Sequence, residues 1–200
     1  IVKTSDVVYV VEKVAELCGD AIVIALGGGS SIDAAKAIVF MAERAENRDI
    51  MLIAIPTTSG TGSEVTSFAV ISDPKKNVKH ALVDEFLLPN EAILDVEMVK
   101  SVPATVTADT GLDVLAHALE AYVSTEADYF SDMYAEKSTS LCKHYLVRSY
   151  NYQKTHENKA REKMHNASTI AGMSFTNAFL GVCHSMAHKL GAFHHLPHGI

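Results

Sequence analysis

Short apolar runs and helical apolar spacings alternate along the first half of the chain. Apolar residues recur at helical spacing over 7–18, behind Asp6 as a candidate N-cap, and predict a helix. The run at 21–26 is apolar throughout and rich in β-branched residues, which predicts a buried parallel strand. A second helix is predicted over 31–44 and a second buried strand over 49–55.

The pattern changes near Ser101–Pro103. Before it, three further short strands are predicted, at 66–71, 78–83 and 92–94. From Thr107 onward only helical spacing occurs, and four helices are predicted, over 108–122, 129–150, 157–180 and 182–192. This order predicts a Rossmann-like α/β domain with a parallel sheet over residues 1–102, followed by an all-helical domain over residues 103–200.

The composition is that of an ordinary folded protein. Of 200 residues, 48% are hydrophobic and 20% are charged, which excludes disorder. The net charge is −7 and the 17 basic residues are scattered, so no nucleic-acid partner is expected, because such a partner requires a basic stripe. The apolar run at 21–26 is far shorter than the about 20 residues that span a bilayer, so no membrane association is expected.

The cysteines and the chain ends suggest where the protein works and how much of it is present. Three cysteines without a CxxC pair favour a reducing compartment, and no secretory leader opens the chain, so a cytoplasmic location is expected. The chain lacks an initiator Met and stops at Ile200, just after its densest run of histidines, from which we expect a fragment of a longer protein.

The first two predicted strands each end in a glycine-rich turn. GGGSSID at 27–33 precedes a helix, where glycines let the backbone approach a phosphate and first-turn N–H groups hold its charge; Ser30 or Ser31 is a candidate N-cap. It is not a GxGxxG motif, because Ile32 stands at the third glycine position. TTSGTGSE at 57–64 suits a pyrophosphate or a ribose. One such turn is usually a plain connection, but two at strand ends favour a bound nucleotide.

Candidate metal ligands lie at helical spacing in the second predicted domain. Asp113 and His117 are four residues apart and share a helix face. His184 and His188 have the same spacing, and His198 follows in a Pro-His-Gly turn. One carboxylate and two or three imidazoles that converge from different helices are typical of a divalent-metal site.

The remaining histidines have plainer explanations. A lone histidine is usually a surface or capping residue, which is expected of His80, His144, His156 and His165. The five histidines between 184 and 198 differ, because the apolar segments around them, Gly181–Cys183 and Leu190–Phe193, are expected to be buried. Buried polar groups need partners, which favours a site in this region.

Four motifs together resemble the iron-dependent, or group III, alcohol dehydrogenases, in the family's order and spacing. They are GGGSSIDAAK at 27–36, PTTSGTGSEVTS at 56–67, TGLDVLAHALEAYVS at 110–124 and HSMAHKLGAFHHLPHG at 184–199. KAREKMHNASTIAGMSF at 159–175 looks closest to propanol and ethanol dehydrogenases of diol- and ethanolamine-degrading pathways. The alcohol dehydrogenase half of bifunctional aldehyde–alcohol dehydrogenases is also similar, but it has an insertion before the TTSGTGSE turn, which favours a single-function enzyme here.

The resemblance implies which residues form the sites. The family's metal ligands match four residues: Asp113, His117, His184 and His198. Its cofactor contacts match eight: Gly28, Gly29, Ser30, Thr57, Thr58, Thr61, Val70 and Lys79. His188 matches a non-ligand histidine beside the nicotinamide and is a candidate catalytic proton relay. His194 and His195 fall where members vary and are expected at the pocket rim.

The resemblance also implies the chemistry. It implies a dinucleotide-binding domain over residues 1–102 and a helical metal-binding domain over 103–200, in a dehydroquinate synthase-like fold. The expected metal is Fe²⁺, with Zn²⁺ as the alternative, and the expected cofactor is NAD, with NADP as the alternative. The implied reaction is hydride transfer between this cofactor and a short-chain primary alcohol or aldehyde, such as propanol or ethanol. A homo-oligomer is expected, with a microcompartment or a filament as further assemblies.

Other possibilities remain open at this point. Glycerol dehydrogenases and dehydroquinate synthases share the architecture, but the segment at 184–199 argues against them. A non-catalytic nucleotide-binding or assembly module would have no need of the four matching ligands. An apolar substrate pocket has four candidate residues: Phe175, Phe179, Leu180 and Phe193.

Overall fold

The structure, a computed structural model, describes residues 7, 10, 11, 13, 21–46, 49–73, 78–194 and 198–199. The chain divides into two compact units. The first comprises Ile1–Pro56 and Ser63–Ile93, and the second comprises Thr57–Gly62 and Leu94–Ile200. The predicted domain boundary between residues 102 and 103 stays a prediction.

The described residues form strands and helices in the expected order. The strands are β1 (Ala21–Gly27), β2 (Ile50–Pro56), β3 (Phe68–Asp73), β4 (Val78–Val83) and β5 (Glu91–Ala92). The helices are α1 (Gly29–Glu46), α2 (Ala104–Tyr122), α3 (Tyr129–Tyr150), α4 (Tyr152–Thr155), α5 (Asn158–Ala178) and α6 (Val182–His194). Short 3-10 turns lie at Ser63–Val65, Glu85–Leu87 and Val96–Val99. The end of the helix predicted over 7–18 lies outside the described residues.

The first unit is built on a parallel sheet with the strand order β1-β2-β5. β1 pairs with β2 from Ala21 opposite Ile50 to Gly27 opposite Pro56. Helix α1 packs against this sheet, and together they bury a cluster of aliphatic residues: Ala25, Ile32, Ala35, Val39, Ala42, Ile50, Leu52 and Ala54. β3 and β4 form a separate antiparallel hairpin.

The expectation that β1 is buried on both faces is wrong for the described part of the chain. Ile22, Ile24 and Leu26 are 63%, 62% and 57% exposed. Successive side chains of a strand point to opposite faces, so Val23 and Ala25 pack towards α1 while these three occupy the other face. The apolar run correctly predicted a strand, but it could not show how many faces are covered.

The buried Lys36 and the half-buried Asp33 of the GGGSSIDAAK motif attach α1 to the segment that leads into the hairpin. The Lys36 ammonium is 0% exposed and donates to the carbonyls of Thr66 at 2.7 Å and Phe68 at 2.8 Å. The Asp33 carboxylate accepts a hydrogen bond from the Ser63 hydroxyl at 2.6 Å. Asp33 and Lys36 therefore serve the packing of this helix, because charged groups removed from water need partners within the protein.

The second unit is a helical bundle. Helices α2, α3 and α5 enclose its core, whose buried members are Val114, Ala118, Cys142, Met164, Ala167 and Ala171. Asp128 and Ser131 form a capping box, and α3 starts where it was predicted. α2 starts at Ala104 rather than 108. Pro103 is its N-cap residue, and the Thr107 hydroxyl donates to the Pro103 carbonyl at 2.9 Å.

The structure thus confirms the predicted fold class, an α/β part with a parallel sheet followed by a helical part. Past Thr107 the described residues contain helices and no strand, as predicted. None of the helices in the described ranges is both long enough and apolar enough to cross a membrane.

Candidate metal centre

The candidate site is built on one face of α2. Asp113 and His117 are one helical turn apart, and both are buried, at 6% and 4% exposure. Val114 and Ala118, their neighbours in sequence, are fully buried in the bundle core, which fixes the rotation of the helix about its axis. The carboxylate and the imidazole are therefore held in place by the packing of the helix that carries them.

His184 and His198 complete the cluster from another part of the unit. His184 lies in the first turn of α6, and His198 follows that helix. The Asp113 Oδ1 lies 3.7 Å from the His117 Nε2. The same oxygen lies 3.5 Å from Nε2 of His184 and 3.7 Å from Nε2 of His198. One ligand atom from each of the four residues lies within 4.8 Å of the other three.

These separations fit a metal ion. Ligand atoms about 2.1 Å from a tetrahedral ion are about 3.4 Å from one another, and the distances from Asp113 are 3.5 to 3.7 Å. They exceed the roughly 2.7–3.2 Å of an N–H···O hydrogen bond, so direct pairing of the carboxylate with the imidazoles does not account for them. Three imidazoles and a carboxylate are a donor set that Fe²⁺, Zn²⁺, Co²⁺ or Mn²⁺ accepts.

The charges of the cluster also suit a cation. Burial lowers the pKa of His117 to about 4, against the pull of Asp113, so this imidazole is neutral at pH 7. Burial opposes ionisation of Asp113, but the surrounding imidazoles outweigh it and lower the pKa of the carboxyl. Burial would lower the pKa of His184, but its two carboxylate partners, Asp113 and Glu120, raise it, so a bound cation would have to displace a proton from this ring. A neutral imidazole and an ionised carboxylate are the forms that bind metals.

Aromatic rings surround the cluster. The His117 ring packs between the rings of Phe175 at 4.6 Å and His184 at 4.5 Å. His188 is half-buried, and its ring centroid lies 5.0 Å from that of His198. The structure therefore places His188 beside His198, one of the four clustered residues.

The expected burial of the apolar segments around these histidines is wrong. The side chains involved are largely exposed: Val182 72%, Leu190 53% and Phe193 76%. The reason is that α6 turns the face bearing His184 inward and leaves the opposite face uncovered by the described residues. Of the four candidate pocket residues, Phe175 alone is buried, at 5%, whereas Phe179 is 48% exposed. His194 is exposed, and His195 lies outside the described residues.

Two residues near the site were not anticipated. Glu120, three residues after His117 on the same face of α2, has Oε2 2.5 Å from the His184 Nδ1. Its spacing from Asp113 and His117 was a usable signal. His165, expected at the surface, is 2% exposed, and its Nδ1 lies 3.1 Å from the Ser59 hydroxyl. Nothing in the local pattern pointed to this contact, because 106 positions separate the two residues.

The first glycine turn lies between β1 and the N-terminus of α1. Gly27 has a φ of +156°, and a Cβ there would lie 2.6 Å from the Ser31 Cβ, so only glycine fits. The Gly28 carbonyl accepts from the Ser31 N–H at 3.0 Å, and the helix starts at Gly29. The predicted cap is therefore wrong, because Ser30 and Ser31 lie inside the first turn. Gly28, Gly29 and Ser30 do stand where helix N–H groups can hold an anion.

The second glycine turn, Thr57–Gly62, packs against two helices of the second unit. Gly62 has a φ of +61°, and a Cβ there would lie 2.8 Å from the Gly172 Cα in α5. A Cβ on Gly60 would lie 2.8 Å from the Thr110 Cβ in α2. The glycines thus permit a close approach of the turn to the helices. Its candidate cofactor contacts are all half-buried: Thr57, Thr58 and Thr61.

The last two candidate cofactor contacts lie on the hairpin. Val70 pairs with Ala81 and Ser72 pairs with Lys79, so Val70 and Lys79 share one face. The Val70 N–H donates to the Asp33 carboxylate at 2.9 Å, so that amide is committed to the fold. The cofactor roles of these residues and of both turns stay predictions.

Comparisons with known proteins bear on both parts of the chain. The family model described as "Iron-containing alcohol dehydrogenase" matches residues 2–96, and the one described as "Fe-containing alcohol dehydrogenase family, C-terminal" matches residues 107–200. The 1-propanol dehydrogenase PduQ of Salmonella typhimurium is 53% identical over 179 residues, covering 90% of this chain and 48% of that protein. The bifunctional aldehyde-alcohol dehydrogenase AdhE of Escherichia coli K12 is 44% identical over 225 residues, covering 100% of this chain and 25% of that protein.

A solved structure agrees with these matches. Sulfoacetaldehyde reductase from Bifidobacterium kashiwanohense, in complex with NAD⁺, superposes with a TM-score of 0.89 at 34% identity, covering 98% of this chain and 55% of that one. The chain spans about half the length of PduQ. The resemblance seen in the sequence motifs is confirmed: the chain belongs to the iron-containing alcohol dehydrogenase family.

Proposed function

We propose that the whole protein is an iron-dependent, NAD-linked alcohol dehydrogenase that interconverts a short-chain primary alcohol and its aldehyde. The observation that carries the proposal is the cluster of one carboxylate and three imidazoles around Asp113, with separations of 3.5 to 3.7 Å. Such a cluster is unusual in a plain structural core, because buried polar groups normally pair at hydrogen-bond distance.

Four residues would hold the metal: Asp113, His117, His184 and His198. A bound Fe²⁺ supplies Lewis acidity towards the oxygen of the alcohol or aldehyde. Asp113 contributes a hard oxygen ligand and one negative charge. His198 is the most open of the four, with 30% of its side chain exposed, so we place the substrate on its side of the cluster. His188, whose ring centroid lies 5.0 Å from that of His198, would pass a proton between substrate and solvent.

The cofactor proposal rests on the two glycine turns and the hairpin. NAD⁺ is present in the structure of the related sulfoacetaldehyde reductase. In this chain the N-terminus of α1 at Gly28–Ser30 offers N–H groups to a phosphate, and the Thr57–Gly62 turn offers hydroxyls. Val70 and Lys79 would contribute from their shared face of the hairpin.

The substrate proposal follows the relatives. PduQ, the relative at 53% identity, is named for 1-propanol. The alignment with AdhE runs over 225 residues against the 200 of this chain, so that bifunctional enzyme has 25 residues more in the aligned region. The alignment with PduQ covers 90% of the chain in 179 residues, so it is no longer than the part of the chain that it covers. PduQ therefore lacks these extra residues, and we favour a single-function parent.

The proposal is tested on the whole protein, loaded anaerobically with Fe²⁺ and assayed for propanal-dependent oxidation of NADH. Asp113→Ala and His198→Ala should each lose bound metal and turnover together, by at least about 100-fold in turnover. His144→Ala is the matched control, because it removes an exposed imidazole of α3 that lies outside the cluster. It should retain both metal and activity.

The same assay can overturn the proposal. A wild-type protein that binds metal but reduces no aldehyde with NADH or NADPH is not an alcohol dehydrogenase, and glycerol-type or lyase chemistry would then be sought. The proposal that the metal is iron needs a separate test, because the general order of metal affinities favours zinc over iron. Metal analysis of protein purified anaerobically from its natural source should find iron, and zinc alone would refute that part.

A further inference from the structure

Glu120 lies behind the candidate metal centre, one turn beyond His117 on α2. Its side chain is 14% exposed, and Oε2 lies 2.5 Å from Nδ1 of His184. The other ring nitrogen of His184, Nε2, lies 3.5 Å from the Asp113 Oδ1. The imidazole is therefore held between two carboxylates, one at each nitrogen, and only the Asp113 side belongs to the four-residue cluster.

The same carboxylate binds the start of α6. Oε1 accepts from the Cys183 N–H at 2.7 Å, and Oε2 accepts from the His184 N–H at 3.2 Å. Residue 181 must be small for this approach, since a Cβ on Gly181 would lie 2.9 Å from Oε1. Glu120 thus satisfies N–H groups that have no partner within a helix, and it fixes both the backbone and the ring of His184.

We propose that Glu120 is a positioning residue, which orients His184 and keeps its proton on Nδ1 so that the Nε2 lone pair faces the metal. The inference rests on the proposed function, because it needs the cluster to hold a metal. A carboxylate accepts hydrogen bonds and cannot donate one when ionised, so its partner nitrogen carries the proton. A histidine ligand held in this way has a fixed tautomer and a more basic ligating nitrogen.

Glu120 also affects the charge of the site. With neutral imidazoles, the Asp113 and Glu120 carboxylates together balance the two positive charges of a divalent ion. At temperatures where α6 stays folded, a plain helix cap would contribute to its stability without affecting metal binding. The two roles therefore differ in what Glu120→Gln changes: a cap alone lowers the melting temperature, whereas a positioning residue also weakens metal binding.

The test is a Co²⁺ titration of the whole protein, in which binding is monitored through the visible absorbance of four-coordinate Co²⁺. Glu120→Gln keeps the size of the side chain but loses its charge and one acceptor oxygen, and we expect about 10- to 100-fold weaker binding. Glu126→Gln is the matched control, because it removes an exposed carboxylate just beyond the same helix. It should change the affinity by less than about threefold, since exposed charges are screened.

The His184→Ala background shows whether Glu120 acts through His184. His184→Ala should itself weaken Co²⁺ binding, and adding Glu120→Gln to it should cause little further loss. An undiminished loss in that background would mean a general charge effect and would overturn the inference. The inference would also be overturned if Glu120→Gln bound Co²⁺ with wild-type affinity while His184→Ala bound it weakly. If the wild type bound no Co²⁺, or His184→Ala bound it normally, the proposed function would fall as well.

A second measurement needs no variant and covers the case in which Glu120→Gln does not fold. Histidine ¹⁵N spectra of the Zn²⁺-loaded wild-type protein should show His184 with a proton on Nδ1 and the metal on Nε2. A His184 that is unprotonated at Nδ1, or bound through it, would contradict the inference directly.

Discussion

Lys36 is a buried ammonium group whose hydrogen-bonding capacity is filled by its neighbours. It donates to the carbonyl and the hydroxyl of Thr66, at 2.7 and 3.1 Å, and to the carbonyl of Phe68 at 2.8 Å. Burial lowers its pKa to about 8 from an ordinary 10.5, although Asp33 and Glu64 oppose the shift. The folded protein therefore releases this proton at a lower pH than the unfolded chain does.

This shift predicts how stability depends on pH. Between pH 8 and 10.5 the unfolded state still holds the proton that the folded state has lost, so stability rises with pH in this window. The free energy of unfolding of the wild type, relative to Lys36→Met, should rise by up to roughly 3 kcal/mol. Denaturant titrations of the whole protein from pH 7.5 upward measure it, with Lys137→Met at an exposed lysine as the control. A difference that stays flat or falls would refute the expectation.

Arg161 is a second buried cation, and no carboxylate is among its described hydrogen-bond partners. Its Nη1 donates to the Thr107 hydroxyl at 2.5 Å and its Nη2 to the Val102 carbonyl at 2.7 Å. Its guanidinium lies 4.9 Å from the centre of the Tyr152 ring. Arg161 and Ser149 are among the residues that line a cavity of about 10 Å³, which has room for about one water. The Arg161 Nε and the Ser149 hydroxyl are buried and have no hydrogen-bond partner among the described residues.

Arg161→Met should lower the free energy of unfolding by about 1–3 kcal/mol, because it leaves a buried carbonyl and a hydroxyl without their donor. Thermal unfolding of the whole protein measures the loss. Arg148→Met is the control, because it removes an exposed guanidinium paired with Glu157, and such pairs contribute about 0–1 kcal/mol. If the two variants lost equal free energy of unfolding, the buried contacts of Arg161 would contribute no more than an exposed ion pair does.

At the scale of elements, the Thr57–Gly62 turn depends on contacts with helices that are distant in sequence. Gly62 combines a φ of +61° with an approach to the backbone of Gly172. Ser59 contacts the buried His165 on the same helix, α5. The conformation of a turn with candidate cofactor contacts is therefore set by the packing of the helical unit.

Gly62→Ala should consequently destabilise the protein by about 1–2 kcal/mol from the backbone conformation alone, with an added cost for the close contact. It should also weaken NADH binding, which fluorescence titration measures, because the turn must move. Gly111→Ala is the matched control: its Cβ would meet the flexible end of Leu146, and it lies within a helix, where alanine is favoured. A Gly62→Ala variant no less stable than Gly111→Ala would contradict the account.

At the scale of the molecule, the candidate metal centre joins segments that are far apart in the sequence of the second unit. Asp113 and His117 come from α2, His184 comes from α6, and His198 lies beyond it. An ion bound by all three segments binds the folded state and not the unfolded chain, so it shifts the folding equilibrium.

Co²⁺ at about 100 times its dissociation constant should therefore stabilise the whole protein by about 2.7 kcal/mol, and raise the melting temperature by several degrees. Asp113→Asn keeps the shape of the side chain and removes the charged ligand at the centre of the cluster. It should lose most of this stabilisation. An unchanged response in Asp113→Asn would place the ion elsewhere. The homo-oligomer expected from the family remains a prediction at this scale.

Local features of this protein could be predicted from its sequence alone. Short apolar runs rich in β-branched residues predicted both main strands, and apolar residues at 3.6-residue spacing predicted the order of the helices. The start of α3 was predicted correctly at Tyr129, and the structure shows there a capping box of Asp128 and Ser131, which acts within one turn. Asp113 and His117 could be placed on one face for the same reason, since their relation is set within a single helix.

The tertiary structure decided whatever depends on contacts between distant residues. The exposed face of β1 at Ile22, the burial of His165 and the outward face of α6 could not be derived from local pattern, because burial depends on what packs against an element. The partnership of Glu120 with His184 spans 64 positions. Local periodicity identifies which side chains share a face, and only packing decides which faces meet.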